Sequence, residues 1–418
     1  MEKYLIKYLL DNEPDSLRRK YIDYYKTEMD WFIYNYGEHM SKTHQRKQPH
    51  DLFGYFTRYC QYFKSLWTEP ICDDKINILT KFSVPELGKT YRFYSSLLTP
   101  NGYDNIIGDF KTIKYREKKQ NIINNGCIWD FLTPDFIKES EELKESLRKQ
   151  FERYNFKGLF LHTDQYSETK MLIDIFKSMN IPSFIFVHGL PGPYSLDIDN
   201  RSDYLLVWGS RMKEHYVNAG FDPGKVIVIG NRKYTVFKEV TRNSFDDVLV
   251  IPPSAVLWHQ YTWGNPVLID RSAGILYLHQ VEKVLRKMGI KKARYRVHPS
   301  LKKEWTDQFI DHDFYIIDHQ PLGDSLAHAT MVIGSASTVL FDALASGVNY
   351  IMYEPQENGK SILGDNLIPP FDGKDGILVG RNETELENML KDRYRIPHEN
   401  LQQYMQPFSV DKLIPLLG

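Results

Sequence analysis

PLGDSLAHATMVIGSASTVLFDALASGVNYIMYEP, residues 321–355, reads as helix, strand, small-residue turn, helix and strand. The apolar run Met331-Val332-Ile333 ends in Gly334-Ser335-Ala336-Ser337-Thr338, and an amphipathic helix begins at once with Val339, Leu340, Leu344 and Ala345 on its apolar side. Hydroxyls and backbone N–H groups are thereby gathered at a helix start, beyond the carboxyl end of a strand. Such a place attracts anions, because the first N–H groups of a helix lack intrahelical partners and the helix dipole is positive there. The expected guest is a phosphate, held by Ser335, Ser337 and Thr338, with Asp342 one turn further on, able to reach a ribose hydroxyl. The plainer reading is an N-cap whose small residues permit close helix–strand packing.

The surrounding sequence repeats the alternation. Asp247–Ile251 is a strand, a helix lies near 269–288, and Arg294–Val297 is the next strand. Earlier, Gly158–His162, Pro182–Val187, Tyr204–Trp208 and Val226–Ile229 are short apolar strands separated by helices at 167–179 and 210–219. Strands alternating with helices imply α/β architecture with parallel sheets covered on both faces. Lys75–Phe82 is an additional strand, and 135–154 a charged helix with i, i+4 partners. Residues 1–70 read as helical and aromatic, and 83–135 give mixed signals. A chain of 418 residues exceeds the roughly 250–300 that one core supports, so two domains are expected. The divisions read from the sequence are a first domain at 1–235, a second at 247–395, and a tail at 396–418 that crosses back to the first domain.

Three further clusters sit at predicted strand ends, where ligands bind open α/β sheets. In Arg294-Tyr295-Arg296-Val297-His298-Pro299-Ser300, His298 can donate to a phosphate oxygen, and Arg296 shares its face if the strand stays extended. The alternative is a histidine at a helix start, with Pro299 at the first helical position. In Val187-His188-Gly189-Leu190-Pro191-Gly192-Pro193, glycines and prolines fix a loop, and His188 at its root suits a general base. Gly189 and Pro191 would belong to the acceptor loop, and a satisfied core histidine is the alternative. Asp164, between a strand and a helix, is a second candidate base or an ordinary helix-start residue. Ser254, following the strand at 247–251, completes the donor-binding candidates.

Composition removes several other classes. The 53 Lys and Arg against 54 Asp and Glu leave a net charge of −1, which gives no electrostatic footprint for nucleic acid. Cys60, Cys72 and Cys127 have neither metal-ligand nor redox spacing and fit a reducing cytosol. There is no HExxH and no CxxC pair, and Asp197-Ile-Asp199 and Asp311-His-Asp313 match D-x-D by letters alone, so no metal site and no bound cofactor is expected. A GxGxxG after a strand and a GxxxxGK[ST] are both absent, which disfavours dinucleotide oxidoreductases and P-loop nucleotidases. The N-terminus lacks a signal-peptide core and no window spans a bilayer, so a cytoplasmic protein is expected. Tyr4, Leu5, Tyr8 and Leu9 with nearby Lys and Arg could touch the inner membrane peripherally; packing on their own domain is the simpler reading.

With these clusters in place, the chain resembles the two-Rossmann-domain (GT-B) glycosyltransferases of bacterial surface polysaccharides over residues 155–380. It is similar to capsule and lipopolysaccharide transferases that use CMP-activated sugars, such as sialic-acid-like and Kdo transferases. It also resembles the teichoic-acid glycerophosphotransferases. RVHPS (296–300) looks like their His-Pro motif, GSASTVLFDALASG (334–347) like their Ser-Ser/Thr motif, and HTDQYSETKMLIDIFKSMNIPSFIFVHG (162–189) like their acceptor-side βαβ unit. The resemblance implies two Rossmann-like domains facing a central cleft, a nucleotide-sugar donor and a glycan, lipid-linked or protein-linked acceptor. It implies donor phosphate contacts from His298, Ser335, Ser337 and Thr338, ribose contact from Asp342, and an active-site role for His188. The acidic D/E-D/E-G motif of the sialyltransferases is missing, since Asp246-Asp247 is followed by Val. A CDP-alditol phosphotransferase, a UDP-sugar transferase and a nucleotide-sugar 2-epimerase remain as alternatives.

Overall fold

The computed structural model describes residues 2–39, 60, 76–81, 98–102, 110–187, 201–231, 233–234, 237–253, 261–262, 265–266, 272–296, 307–362 and 369–418. The chain divides into two compact units. The first comprises Met1–Phe186, Asp197–Leu206 and Val410–Gly418; the second comprises Val187–Leu196 and Val207–Ser409.

The first unit opens with helices α1 (Glu2–Asn12) and α2 (Ser16–His39). Strands β1 (Ile76–Lys81) and β2 (Leu98–Gly102) follow, then α3 (Phe110–Asn125) and α4 (Pro134–Phe151). Between 83 and 135 the sequence signals are mixed; the structure places β2, α3 and a 3-10 turn at Ile128–Leu132 there. Helix α4 begins where Thr133 caps it, its hydroxyl accepting the Phe136 N–H at 3.4 Å, with Pro134 in the first turn. Phe136, Ile137, Ser140, Leu143, Leu147 and Phe151 recur at helical spacing and form its buried face. The chain continues through β3 (Phe156–Leu161), α5 (Ser167–Ser178), β4 (Ser183–Phe186) and β5 (Tyr204–Val207), and then, in the second unit, α6 (Ser210–Asn218) and β6 (Val226–Val228). The sheet order is β2-β1-β3-β4-β5-β6, and the ladders from β2 to β5 are parallel. The order reverses at β1 and β3, so the topological switch point lies at their carboxyl ends, Lys81 and Leu161.

The second unit carries β7 (Val248–Ile251), a small ribbon of β8 (Tyr261–Thr262) and β9 (Asn265–Pro266), α7 (Ser272–Lys287), β10 (Ala293–Tyr295) and β11 (Tyr315–Ile317). It continues with α8 (Leu322–His328), β12 (Met331–Gly334), α9 (Val339–Ala345) and β13 (Tyr350–Tyr353). A ribbon of β14 (Gln356–Glu357) and β15 (Lys360–Ser361), then β16 (Val379–Gly380) and α10 (Glu383–Lys391), complete it. The sheet is parallel throughout, in the order β11-β10-β7-β12-β13-β16. By sequence that is third, second, first, fourth, fifth, sixth, the doubly wound Rossmann arrangement. Every residue of β7, β12 and β13 is buried, as expected of central parallel strands covered on both faces. Val248, Val250, Tyr277, Val281, Leu285 and Ile333 belong to the core beneath them. The expectation of an α/β chain with two Rossmann-like parallel sheets therefore holds.

The last segment is tied at both ends of its path. The Gln406 N–H donates to the Trp208 carbonyl at 2.9 Å, and the Asn231 N–H to the Gln406 carbonyl at 2.8 Å. Gly230, at φ 86°, is required here, since a Cβ would fall 2.2 Å from the Pro407 carbonyl oxygen. The Gly418 N–H reaches the Lys157 carbonyl at 3.1 Å within the first unit. Among the described residues no helix is long and apolar enough to cross a membrane.

Candidate functional site

The switch point of the second sheet lies at the carboxyl ends of β7 and β12, which are Ile251 and Gly334. The ladder runs one step further, the Ser335 N–H donating to the Ile251 carbonyl at 3.3 Å. From there the chain turns through Ala336, Ser337 and Thr338 into α9. Ser335 is buried, whereas Ser337 and Thr338 are partly open to solvent. The Tyr350 hydroxyl donates to the Ser335 carbonyl at 2.6 Å and fixes the turn from below. The Ala336 N–H donates to the Glu354 carboxylate, which is 2% exposed. The Val339 N–H donates to the Ser337 hydroxyl at 3.3 Å, and the Leu340 and Phe341 N–H groups to the carbonyls of Ser337 and Thr338. Among the described residues, the N–H groups of Ser337 and Thr338 and the Thr338 hydroxyl form no hydrogen bond. Two amides and a hydroxyl at the switch point are therefore without a hydrogen-bond partner among the described residues. Because the Glu354 carboxylate occupies the Ala336 N–H, the amides of the turn left without a partner are those of 337 and 338.

Asp342 lies in α9, but its carboxylate accepts from the Tyr234 hydroxyl at 3.0 Å and pairs with Lys233 at 2.6 Å. Arg296 continues β10, its N–H donating to the Val250 carbonyl at 3.0 Å. Its guanidinium turns to α8, donating to the Gln320 carbonyl and to the Ser325 hydroxyl at 3.2 Å. Arg294, two residues back on the same face, pairs with Asp247 and Asp318 at 2.7 Å each. The Asp318 side chain is 1% exposed, so this ionic set fixes the ends of β10 and β11.

In the first unit, Asp164 is fully buried, and its Oδ2 accepts the Arg201 N–H at 2.7 Å and the Ser202 N–H at 2.8 Å. The carboxylate thus anchors the backbone that leads into β5. His188, Gly189, Pro191, Ser254 and His298 lie outside the described residues. Among the described residues, no group of three or more His, Cys, Asp or Glu side chains is placed to hold a metal ion.

Sequence reasoning did not single out Glu354, although Glu-Pro directly after an apolar strand beside β12 was a usable signal. It also passed over an ionic set at the first unit's switch point. Glu168 is met there by Lys81, by Arg116 at 3.4 Å and by Lys119 at 3.7 Å. Lys119 also reaches Glu28 at 3.3 Å, and the Ser167 N–H donates to Glu28 at 3.0 Å. Burial opposes ionisation of Glu168, but the charges of Lys81, Lys119 and Arg116 outweigh it and hold the carboxyl well below the usual carboxylate range.

No protein-family model and no curated protein matches the chain. Among solved structures it is similar to a glycosyltransferase from Rickettsia africae, with 11% identity and a TM-score of 0.46, over 82% of this chain and 97% of that one. It is similar to the lipopolysaccharide outer core galactosyltransferase WaaB, with 11% identity and a TM-score of 0.45, over 81% and 98%. It is also similar to a Listeria monocytogenes protein assigned as a UDP-N-acetylglucosamine 2-epimerase, with 13% identity and a TM-score of 0.45, over 81% and 93%. The fold assignment rests on the strand orders and not on these scores.

Proposed function

We propose that the protein is a GT-B glycosyltransferase of surface-glycan synthesis, with the nucleotide-sugar donor on the second unit and the acceptor on the first. The observation that carries this reading is the pair of amides at Ser337 and Thr338 that have no hydrogen-bond partner among the described residues, at the switch point of a Rossmann-ordered sheet. The donor phosphate would accept from these amides and the Thr338 hydroxyl, with His298 donating from the segment that follows β10. Donors fixed before reaction and aimed at developing charge are usually the largest catalytic term, and here they would stabilise the departing nucleotide without a metal ion. His188 would take the proton of the acceptor hydroxyl as it attacks the anomeric carbon, with inversion. Asp164 is passed over as base, because its carboxylate already binds two backbone N–H groups. Arg296 and Asp342 would support the site through their present partners.

Within this class, a CMP-activated nonulosonic or Kdo-like sugar is the proposed donor, on the resemblance of the His-Pro and Ser-Ser/Thr motifs. The test is a thermal-shift series with CMP, CDP, UDP, GDP and ADP, with and without Mg²⁺. A ligand that binds only the folded state raises the melting temperature. A selective, metal-independent shift with CMP supports the reading. A shift confined to UDP moves the donor to a UDP-sugar, and no shift with any nucleotide removes the donor site.

A further inference from the structure

Val187 and Trp208 are the first residues beyond the carboxyl ends of the neighbouring parallel strands β4 and β5, and both are buried. The Trp208 indole N–H donates to the Val187 carbonyl at 2.9 Å. That carbonyl belongs to the peptide unit that leads into His188. A peptide unit is planar, so a bond to its oxygen restricts the direction in which the chain enters the next residue. His188 itself lies outside the described residues, but the hold on the peptide before it lies within them.

The same indole meets α9. Its ring stands edge to face with that of Phe341, with 6.5 Å between centroids and 81° between planes. Phe341 is fully buried in the first turn of α9, and its N–H donates to the Thr338 carbonyl at 3.0 Å. Tyr234 and Phe237 pack on the Phe341 ring as well, at 5.6 and 5.8 Å. The Trp208 backbone is held in its turn. Its carbonyl accepts the Gln406 N–H at 2.9 Å, and a Cβ at the following Gly209 would fall 2.3 Å from the Gln403 carbonyl oxygen. Val187, Trp208 and Phe341 all belong to the second compact unit. One buried side chain therefore touches both the peptide before the proposed base and the helix after the proposed phosphate turn. Close-packed interiors transmit strain, and a misplacement of about 1 Å at a reacting group can cost on the order of a hundredfold in rate.

We infer that Trp208 is a positioning residue that sets His188 against the turn at Ser337 and Thr338, so that the general base is carried on the donor's own unit. This rests on the reading of that turn as the donor site and of His188 as the base. Trp208 acts through Val187 and Phe341 and takes no part in bond breaking.

The test is a titration of the full-length protein, labelled at histidine, with CMP, CDP, UDP, GDP and ADP, followed by NMR of the imidazole signals. His188→Gln identifies the His188 signals by their loss. The nucleotide that raises the melting temperature is expected to displace those signals, because a phosphate brought near an imidazole changes the field it experiences. Trp208→Phe keeps a buried aromatic ring and removes the N–H donor. It should lose most of that displacement while binding the nucleotide within about twofold of wild type, as expected of a site that does not touch the ligand. Phe341→Leu keeps apolar bulk, removes the ring edge contact and should also lose most of the displacement, so the coupling is read even if Trp208→Phe does not fold. A purely structural role for Trp208 would lower the melting temperature of the variants and leave the displacement intact in the folded protein. A nucleotide that binds without moving the His188 signals, or that moves them equally in wild type and both variants, overturns the inference and leaves the donor site standing. Absence of both thermal shift and displacement with every nucleotide removes the donor reading, and the inference with it.

Discussion

The hydroxyl of Tyr350 occupies the space a side chain at Gly334 would need: a Cβ there would lie 2.1 Å from the phenolic oxygen. The same hydroxyl donates to the Ser335 carbonyl at 2.6 Å, so one glycine and one tyrosine set the height of the turn that follows β12. Gly334→Ala forces one of them to move. The expected loss is about 1–3 kcal/mol of stability, the usual cost of overpacking, read from denaturant unfolding. Tyr350→Phe removes the donor to a buried carbonyl and should cost about 1–3 kcal/mol. Both variants should weaken nucleotide binding, because both displace the amides of Ser337 and Thr338.

Glu354 holds the same turn from the end of β13. Glu354→Gln retains a carbonyl oxygen for the Ala336 N–H, and Glu354→Ala leaves that N–H without its acceptor. The expected order of nucleotide affinity is wild type, then glutamine, with alanine weakest by about tenfold, the equivalent of one lost hydrogen bond to a charged group. Equal affinities by calorimetry would show that Glu354 does not shape the turn.

Asp164 separates anchoring from base catalysis in one substitution. Asp164→Asn keeps an oxygen for the Arg201 and Ser202 N–H groups and should leave transfer within a few-fold of wild type. Asp164→Ala strips both N–H groups of their acceptor and should destabilise the first unit by about 2–5 kcal/mol. A stable Asp164→Asn protein with transfer reduced about a thousandfold, the range of general-base loss, would return the catalytic role to this carboxylate.

The helix-strand-turn-helix-strand reading of 321–355 matches α8, β12, α9 and β13 because long apolar runs end there in small residues. β2 was illegible for the opposite reason. Its sequence, LTPNG, holds Pro100, Asn101 and Gly102, all poor strand formers, and it is tolerated only at the edge of the sheet. α3 reads FKTIKYREKKQNIINN, in which no clean apolar stripe recurs. Arg116 and Lys119 on it meet carboxylates brought from α2 and α5, which no local periodicity reveals. The same limit applies to the site. The hydroxyl turn could be read from adjacent letters, but the partners of Asp342 and of the Ala336 N–H come from Lys233, Tyr234 and Glu354, which only the fold brings near. Asp164 illustrates the converse: its place after a strand suggested chemistry, and its two backbone partners lie across the sheet at the entry to β5.

The Glu168 network gives the first unit a pH dependence of definite sign. Its carboxyl titrates lower in the folded chain than in the unfolded one, despite the opposing effect of burial, because three cations favour the ionised form. The unfolded chain therefore takes up its proton first as the pH falls. The stabilisation is complete above the ordinary glutamate pKa of about 4.3 and is lost progressively below it, towards the depressed folded value. Urea unfolding of the wild type between pH 7 and pH 3 should show stability falling in the acid limb. Glu168→Gln should be less stable at pH 7, since it removes the carboxylate charge that Lys81, Arg116 and Lys119 share, and its acid limb should be shallower. Parallel acid limbs for the two proteins would place the acid sensitivity elsewhere in the chain.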